Sequence, residues 1–233
     1  MRIVMIVLLT LVSAGFARAA SVESKYGTTP APTPQVAIPE SAADHFAIAV
    51  EAFRKGDSRN AEQSVRNALS LDPKNPDYHY LLGKIYLFRA AEKNRLEIRN
   101  DGTDSPETKY VKRYVKGREE LELAKSSFEV VTKLQSNAAD AWLNLGTCED
   151  NLGNEDAAVV AFEQAIRLAP ATMTARDANN NLGLLHRSEN RPEAAYTAFQ
   201  AALAIDPTFL PARVNVQRLL EKYPKLKKAA KPK

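Results

Sequence analysis

The chain is short of several residue types. It has one cysteine in 233 residues, Cys148, so it can form no intramolecular disulfide and no cysteine-built zinc cage. It has only 9 glycines, too few for a turn-rich all-β design. Its three histidines are His45, His79 and His186. It has no His-Glu-x-x-His, Gly-x-Ser-x-Gly or P-loop pattern, which removes the commonest metalloprotease, hydrolase and nucleotidase signatures. Its longest apolar run covers residues 3–12, well short of the ~20 apolar residues that span a bilayer. Basic residues are not lacking. Lys plus Arg number 32 against 28 acids, for a net charge of +4 and a pI near 9.1. That balance invites a nucleic-acid or anionic-surface reading unless the charge is local.

The N-terminus reads as an address. Arg2 precedes the apolar run, Ser13 to Phe16 follow it, and Ala17-Arg18-Ala19 is a small-x-small cleavage site. This order is that of a secretory signal peptide over residues 1–19. The alternatives are an uncleaved anchor or a docked helix. No cysteine follows the run, which speaks against a lipoprotein. Export would put the mature chain in the periplasm or outside the cell after cleavage near Ala19, away from cytoplasmic nucleic acid and with no transmembrane segment. Residues 20–41 hold Pro30, Pro32, Pro34 and Pro39 among Ser, Thr and Ala without apolar periodicity, as a disordered linker does.

From about 42 to 210 the sequence repeats itself. Trp142, Leu145-Gly146, Gly153, Ala158, Phe162, Ala165 and Pro170 form one series. Leu182-Gly183, Asn190, Ala195, Phe199, Ala202 and Pro207 return in the same order, 37 residues on. Ile48-Ala49, Gly56, Ala61, Val65, Ala68 and Pro73 give an earlier copy, and Leu82-Gly83 with Tyr86 opens another 34 residues later. Gly83, Gly146 and Gly183 fall where two helices of a unit should cross closely. Ala61, Ala124, Ala158 and Ala195 are small for the same reason, with Phe128, Phe162 and Phe199 filling the space beside them. Gly56, Gly153 and Asn190 suit left-handed helix ends, and Pro73, Pro170 and Pro207 stop the second helices.

These residues resemble the tetratricopeptide repeat, a 34-residue helix–turn–helix unit. The resemblance covers four copies, about 42–75, 76–138, 139–172 and 176–209. It implies an all-α, right-handed α-solenoid over 42–222. Residues 211–222 suit a capping helix, with Pro211 at its first position and Ala212, Val216, Leu219 and Leu220 as the apolar stripe. Residues 223–233 form a Lys-rich tail.

The second copy is interrupted. Leu82-Gly83 and Leu145-Gly146 stand 63 apart, as do Ala61 and Ala124, so 29 extra residues lie in its turn. Residues 76–99 read as one long helix and Asn100 to Asp104 as a turn. Ser105-Pro106-Glu107 opens a second helix running to about Leu134, with Gly117 in its interior. The insertion at about 88–118 is therefore an elongated helical hairpin, four turns per arm and roughly 20 Å long. It carries nine basic and five acidic residues. Arg95, Arg99, Lys109, Lys112, Arg113 and Lys116 would form a basic contact surface. One reading is a self-supporting hairpin with a solvated basic face; the other is a prong for an acidic partner or anionic headgroups.

No catalytic constellation emerges, and neither a cofactor nor a metal is expected. His45 and His79 hold equivalent places in adjacent units, too far apart to share a metal. Cys148 falls in a slot for small buried residues and reads as an inert thiol. What remains is a surface. Peptide-binding members of the family use a concave face lined by the first helices. The resemblance places Lys84, Asp140, Asn144, Thr147, Asp150, Asn151, Asp177, Asn180, Asn181 and Arg187 there. In such members an Asn just before the Leu-Gly pair contacts the ligand backbone, and Asn144 and Asn181 match it. The best-known variant clamps a terminal carboxylate with Lys and Arg. Asp140, Asp150 and Asp177 depart from that pattern and favour a basic or neutral segment.

The expected function is that of an exported protein–protein interaction scaffold, not an enzyme. It would bind a peptide segment or partner protein of unknown identity and assist assembly of a cell-envelope complex. No nucleic acid is expected. The alternative is polyanion or anionic-surface binding through the hairpin and tail. The basic balance proves local. Residues 20–221 hold 24 bases and 28 acids, and without 88–118 they hold 15 and 23. The solenoid body is acidic, with two basic appendages.

Overall fold

A computed structural model describes residues 41–100 and 117–226, with side chains from 94 to 100 excepted. The expected signal segment, most of the expected linker, the expected hairpin tip with Lys109, Lys112, Arg113 and Lys116, and residues 227–233 lie outside the described residues. The described residues form helices and no strands. They are α1 Ala42–Arg54, α2 Ser58–Leu71, α3 Pro76–Asn100, α4 Arg118–Leu134, α5 Ala139–Leu152, α6 Glu155–Leu168, α7 Met173–Ser188, α8 Pro192–Ile205 and α9 Leu210–Lys222.

Each helix boundary has a local cause. Ser41 and Asp44 form a reciprocal capping box at α1. Asp57 accepts from the Asn60 amide at 3.1 Å to start α2, and Thr172 accepts from Ala175 to start α7. The turns inside repeats one, three and four reverse through Gly56 (φ +81°), Gly153 (φ +87°) and Asn190 (φ +58°). The second helices stop at Leu71, Leu168 and Ile205, two residues before Pro73, Pro170 and Pro207. The second unit has Ser136 at that place. Its carbonyl instead accepts the indole N–H of Trp142 at 3.1 Å.

The helices stack in chain order. α1–α2, α3–α4, α5–α6 and α7–α8 are hairpins, and each second helix also packs on the next first helix. First helices touch one another directly, α1 with α3, α5 with α7 and α7 with α9. The result is an all-α solenoid, as the repeat implies. Within each of the last three hairpins, glycine meets phenylalanine. A Cβ on Gly83, Gly146 or Gly183 would come within 2.8, 2.7 or 2.5 Å of Phe128, Phe162 or Phe199. Those rings and Ala61, Ala124, Ala158 and Ala195 have no exposure. Each buried ring contributes about 1.5–3 kcal/mol over its exposed state.

The structure revises four boundaries. Gly117 is not interior to a helix; it is the N-cap residue of α4. A Cβ there would lie 2.8 Å from the Ala90 carbonyl and 3.0 Å from its Cα, so the glycine lets the chain press against α3. The base of the insertion is part of the body rather than free hairpin. Ala90 and Leu121 are fully buried with Leu152, and Lys93 pairs with the buried Glu120. The capping helix starts at Leu210, which puts Pro211 at its second position. The body also runs past 222, because Leu226 packs on Ala195, Phe199 and Leu219 with 6% of its surface exposed.

Candidate functional site

The polar residues of the first helices are joined into a seam along the layer where those helices meet. At its N-terminal end Asn144 Nδ2 on α5 donates to the Tyr80 hydroxyl on α3 at 3.2 Å and to the Asp140 carbonyl at 2.8 Å. Lys84 stands over the Tyr80 ring, 5.8 Å from its centre. Burial, with the Asp140 charge adding to it, pushes the Tyr80 phenol up to about 12. Further along, Thr174 on α7 donates to Asp140 Oδ1 at 2.5 Å. At the C-terminal end Arg187 donates to Asn215 Oδ1 and Asn215 Nδ2 to Asn180 Oδ1, each at 3.1 Å, linking α7 to α9.

The expected site residues thus separate. Lys84, Asp140 and Asn144 come together around Tyr80. Asn180 and Arg187 come together through Asn215. Asn180 does not line an open face: its exposure is 7%, because its carboxamide is consumed by the buried bridge to Asn215. Asn144 spends both N–H groups internally, which leaves Oδ1 to meet a ligand, so it offers an acceptor and not a donor–acceptor pair. Thr147 and Asn151 donate to carbonyls one turn back, those of Leu143 and Thr147. Asp150 and Asn181 are half-buried. Arg95 and Arg99 fall in the last two turns of α3, where only the backbone is described.

Asp177 is held by Arg176, whose Nε donates to it at 2.9 Å. Burial raises its carboxyl above the usual aspartate value and Asp140 adds to that, while Arg176 opposes both. Arg176 also reaches Asp206 at 3.1 Å and stacks 4.1 Å over the Phe209 ring, which ties the start of α7 to the turn before α9. Sequence reasoning missed Arg176, Tyr80, Thr174 and Asn215. Two left a signal. Tyr80 occupies the slot of Leu143 and Asn180 in neighbouring units. Asn215 interrupts the Ala212–Leu219 stripe at helical spacing.

Beside the seam lies a hollow of about 310 Å³ at the N-terminal ends of α3, α5 and α7. Asp77, Tyr80, Gln135, Asp140, Thr172 and Thr174 supply its polar lining, with Pro76, Val131 and four alanines around them. None of its described lining residues is basic.

Cys148 and two of the three histidines have identifiable surroundings in the fold. Cys148 has no exposure, and burial pushes its thiol well above the usual range, with the Glu149 charge beside it adding to the shift. His79 Nε2 lies 2.9 Å from the Pro73 carbonyl, and His186 Nδ1 lies 3.5 Å from Glu189. Among the described residues no group of three or more His, Cys, Asp or Glu is placed to hold a metal, and no helix is long and apolar enough to cross a membrane.

Stacked helical hairpins with a continuous first-helix layer define a helical-repeat interaction scaffold. Models described as tetratricopeptide repeat match residues 139–172 and 177–209, and residues 46–93. The chain belongs to the tetratricopeptide-repeat family. No curated protein matches it. Among solved structures it is similar to the MamA protein, 22% identical over 81% of this chain and 85% of that one, with a TM-score of 0.61. The structure titled for functional characterization of Pseudomonas aeruginosa pilF is 17% identical over 79% and 69%, also at 0.61. A tetratricopeptide repeat protein of Parabacteroides merdae is 16% identical over 81% and 62%, at 0.58. At these identities the likeness concerns the fold alone.

Proposed function

We propose that this scaffold is exported and holds a basic or neutral segment of a partner protein along its first-helix layer, in the assembly of a cell-envelope complex. The observation that carries the binding reading is the hollow between α3, α5 and α7. It has two carboxylates, the Tyr80 phenol and three neutral polar side chains in its described lining, and no positive charge. A Lys or Arg side chain entering it would meet Asp77 and Asp140 and lie against an aromatic ring. The spare Oδ1 of Asn144 would accept a backbone N–H of the same segment. Export rests on the order Arg2, apolar 3–12, Ala17-Arg18-Ala19.

Titration of the chain with extended peptides, matched in length and differing in Lys/Arg content and in terminal carboxylate, tests the binding. Basic peptides should bind, and Asp140→Asn should weaken them about tenfold, the scale of one charge-assisted contact. Tightest binding to acid-ended peptides, or an unchanged affinity in Asp140→Asn, would overturn the reading. Binding of anionic vesicles or heparin that collapses with salt would favour the polyanion alternative. N-terminal sequencing of the chain recovered from cell fractions tests export: a mature start at Ala20 supports it, and intact cytoplasmic Met1 refutes it.

A further inference from the structure

We propose that the open face of α9 is a dimer interface, closed by the same face of a second copy laid antiparallel across it. The C-terminal end of the solenoid bears a groove of about 500 Å³ lined by Leu203 of α8 and by Arg213, Val216, Gln217, Leu220 and Glu221 of α9. Its apolar surface comes from Leu203, Val216 and Leu220, all half-buried. The groove exists because α9 stands where the first helix of another unit would stand, and among the described residues only one flank of it is closed. There the Tyr223 hydroxyl donates to Asn190 at 2.8 Å, and Leu226 is buried against α8 and α9. The other flank is left with apolar floor and charged ends.

The charge pattern selects the occupant. Residues 213, 216, 217, 220 and 221 share one helical face. Arg213 and Glu221 sit at its two ends, roughly 12 Å apart along the axis. A second α9 related by a twofold axis near Gln217 places Arg213 beside Glu221 of the second copy, and does so twice. Val216 and Leu220 of each copy then meet in the middle. A parallel pairing would set like charges against each other. Gln217 Nε2 donates to Glu221 Oε1 at 2.9 Å, which holds that carboxylate on the groove side of the helix. The chain's own last seven residues are four lysines, two alanines and a proline, with no side chain to fill an apolar groove. A twofold contact of this kind is isologous and stops at two copies. One helix face is a small interface, so the association should be concentration-dependent in the micromolar range or weaker.

Sedimentation equilibrium of the full chain, from low micromolar to near-millimolar concentration, tests this. A monomer–dimer equilibrium is expected. R213E and E221R should each weaken it about tenfold, since each removes two ion pairs and creates two like-charge contacts. The double variant R213E/E221R should return to near the original affinity. Neither change harms the helix, because an acid in its first turns and a base in its last suit the macrodipole, and far-UV circular dichroism verifies that. A chain that stays monomeric throughout overturns the proposal. So does a dimer indifferent to R213E, a double variant no stronger than the single ones, or growth into open-ended polymers.

Discussion

Replacing Gly183 with alanine sets two effects of opposite sign against each other. On a bare helix the change stabilises by about 1 kcal/mol. Here the new Cβ would stand 2.5 Å from Cδ1 and Cε1 of Phe199 and 2.9 Å from its Cζ. Ordinary carbon contacts begin near ~3.5 Å, so the overlap approaches an ångström. The ring has no exposure and is packed with Ala195 and Leu219, so it cannot swing aside without parting α7 from α8. Overpacking of a filled core costs about 1–3 kcal/mol. Overlap this deep belongs at the upper end, which leaves a net loss of about 2 kcal/mol after the propensity gain. For a chain of this size that lowers Tm by about 4–8 °C. Thermal and urea unfolding followed by far-UV circular dichroism read it directly. Phe199→Leu alone should cost about 1–2 kcal/mol of lost burial. The double variant should lose less than the sum by at least about 1 kcal/mol, because the smaller side chain vacates the space the methyl needs. An alanine variant that melts above the parent, or a strictly additive pair, would refute the close-crossing argument.

Two further outcomes follow from the seam. Tyr80 has its phenol raised from near 10 to about 12, so the folded chain holds that proton longer than the unfolded one. Its contribution is full below pH 10 and is lost as pH rises through 12, an alkaline loss of about 2–3 kcal/mol. Stability curves of the parent and Tyr80→Phe measured across that window should show the parent losing about 2–3 kcal/mol relative to the variant as pH rises, and parallel curves would contradict the burial. Asn215→Ala removes the partner of Asn180 and Arg187 and should cost about 1–3 kcal/mol in chemical unfolding. A cost near zero would mean that the buried amide bridge carries no stability.

Much of the solenoid is legible along the sequence, because each unit repeats the same local contacts. Gly183 and Phe199 are 16 residues apart, and the requirement for one next to the other returns at Gly146 and Phe162. Glycine or asparagine at 56, 153 and 190 is fixed by backbone handedness alone. The site was less legible. The acids and amides of the first helices could be placed on one layer by register. Their mutual engagement could not, since it depends on which side chains reach across from one unit to the next. Asn180 shows this: its slot promised a groove amide, and a single residue on α9, Asn215, buried it. The bond partners Tyr80 and Asn144 are 64 residues apart, across an insertion that breaks the period.

The sequence by itself therefore determined the helix–turn–helix character of the units and the turns at 56, 153 and 190, because those follow from short-range sterics and a repeated apolar pattern. It also showed that the basic excess is concentrated in residues 88–118 and 222–233, while the rest of residues 20–221 is acidic. Only the tertiary structure decided where the insertion leaves the body, at Ala90, Gly117 and the Lys93–Glu120 pair. It alone carried the fold past α9 to Leu226, and it alone divided the first-helix polar residues into those spent on each other and those facing the hollow by Asp77 and Asp140. The physical reason is reach. Stacking brings side chains from successive units within hydrogen-bond distance, and a buried polar group takes whichever partner that stacking supplies.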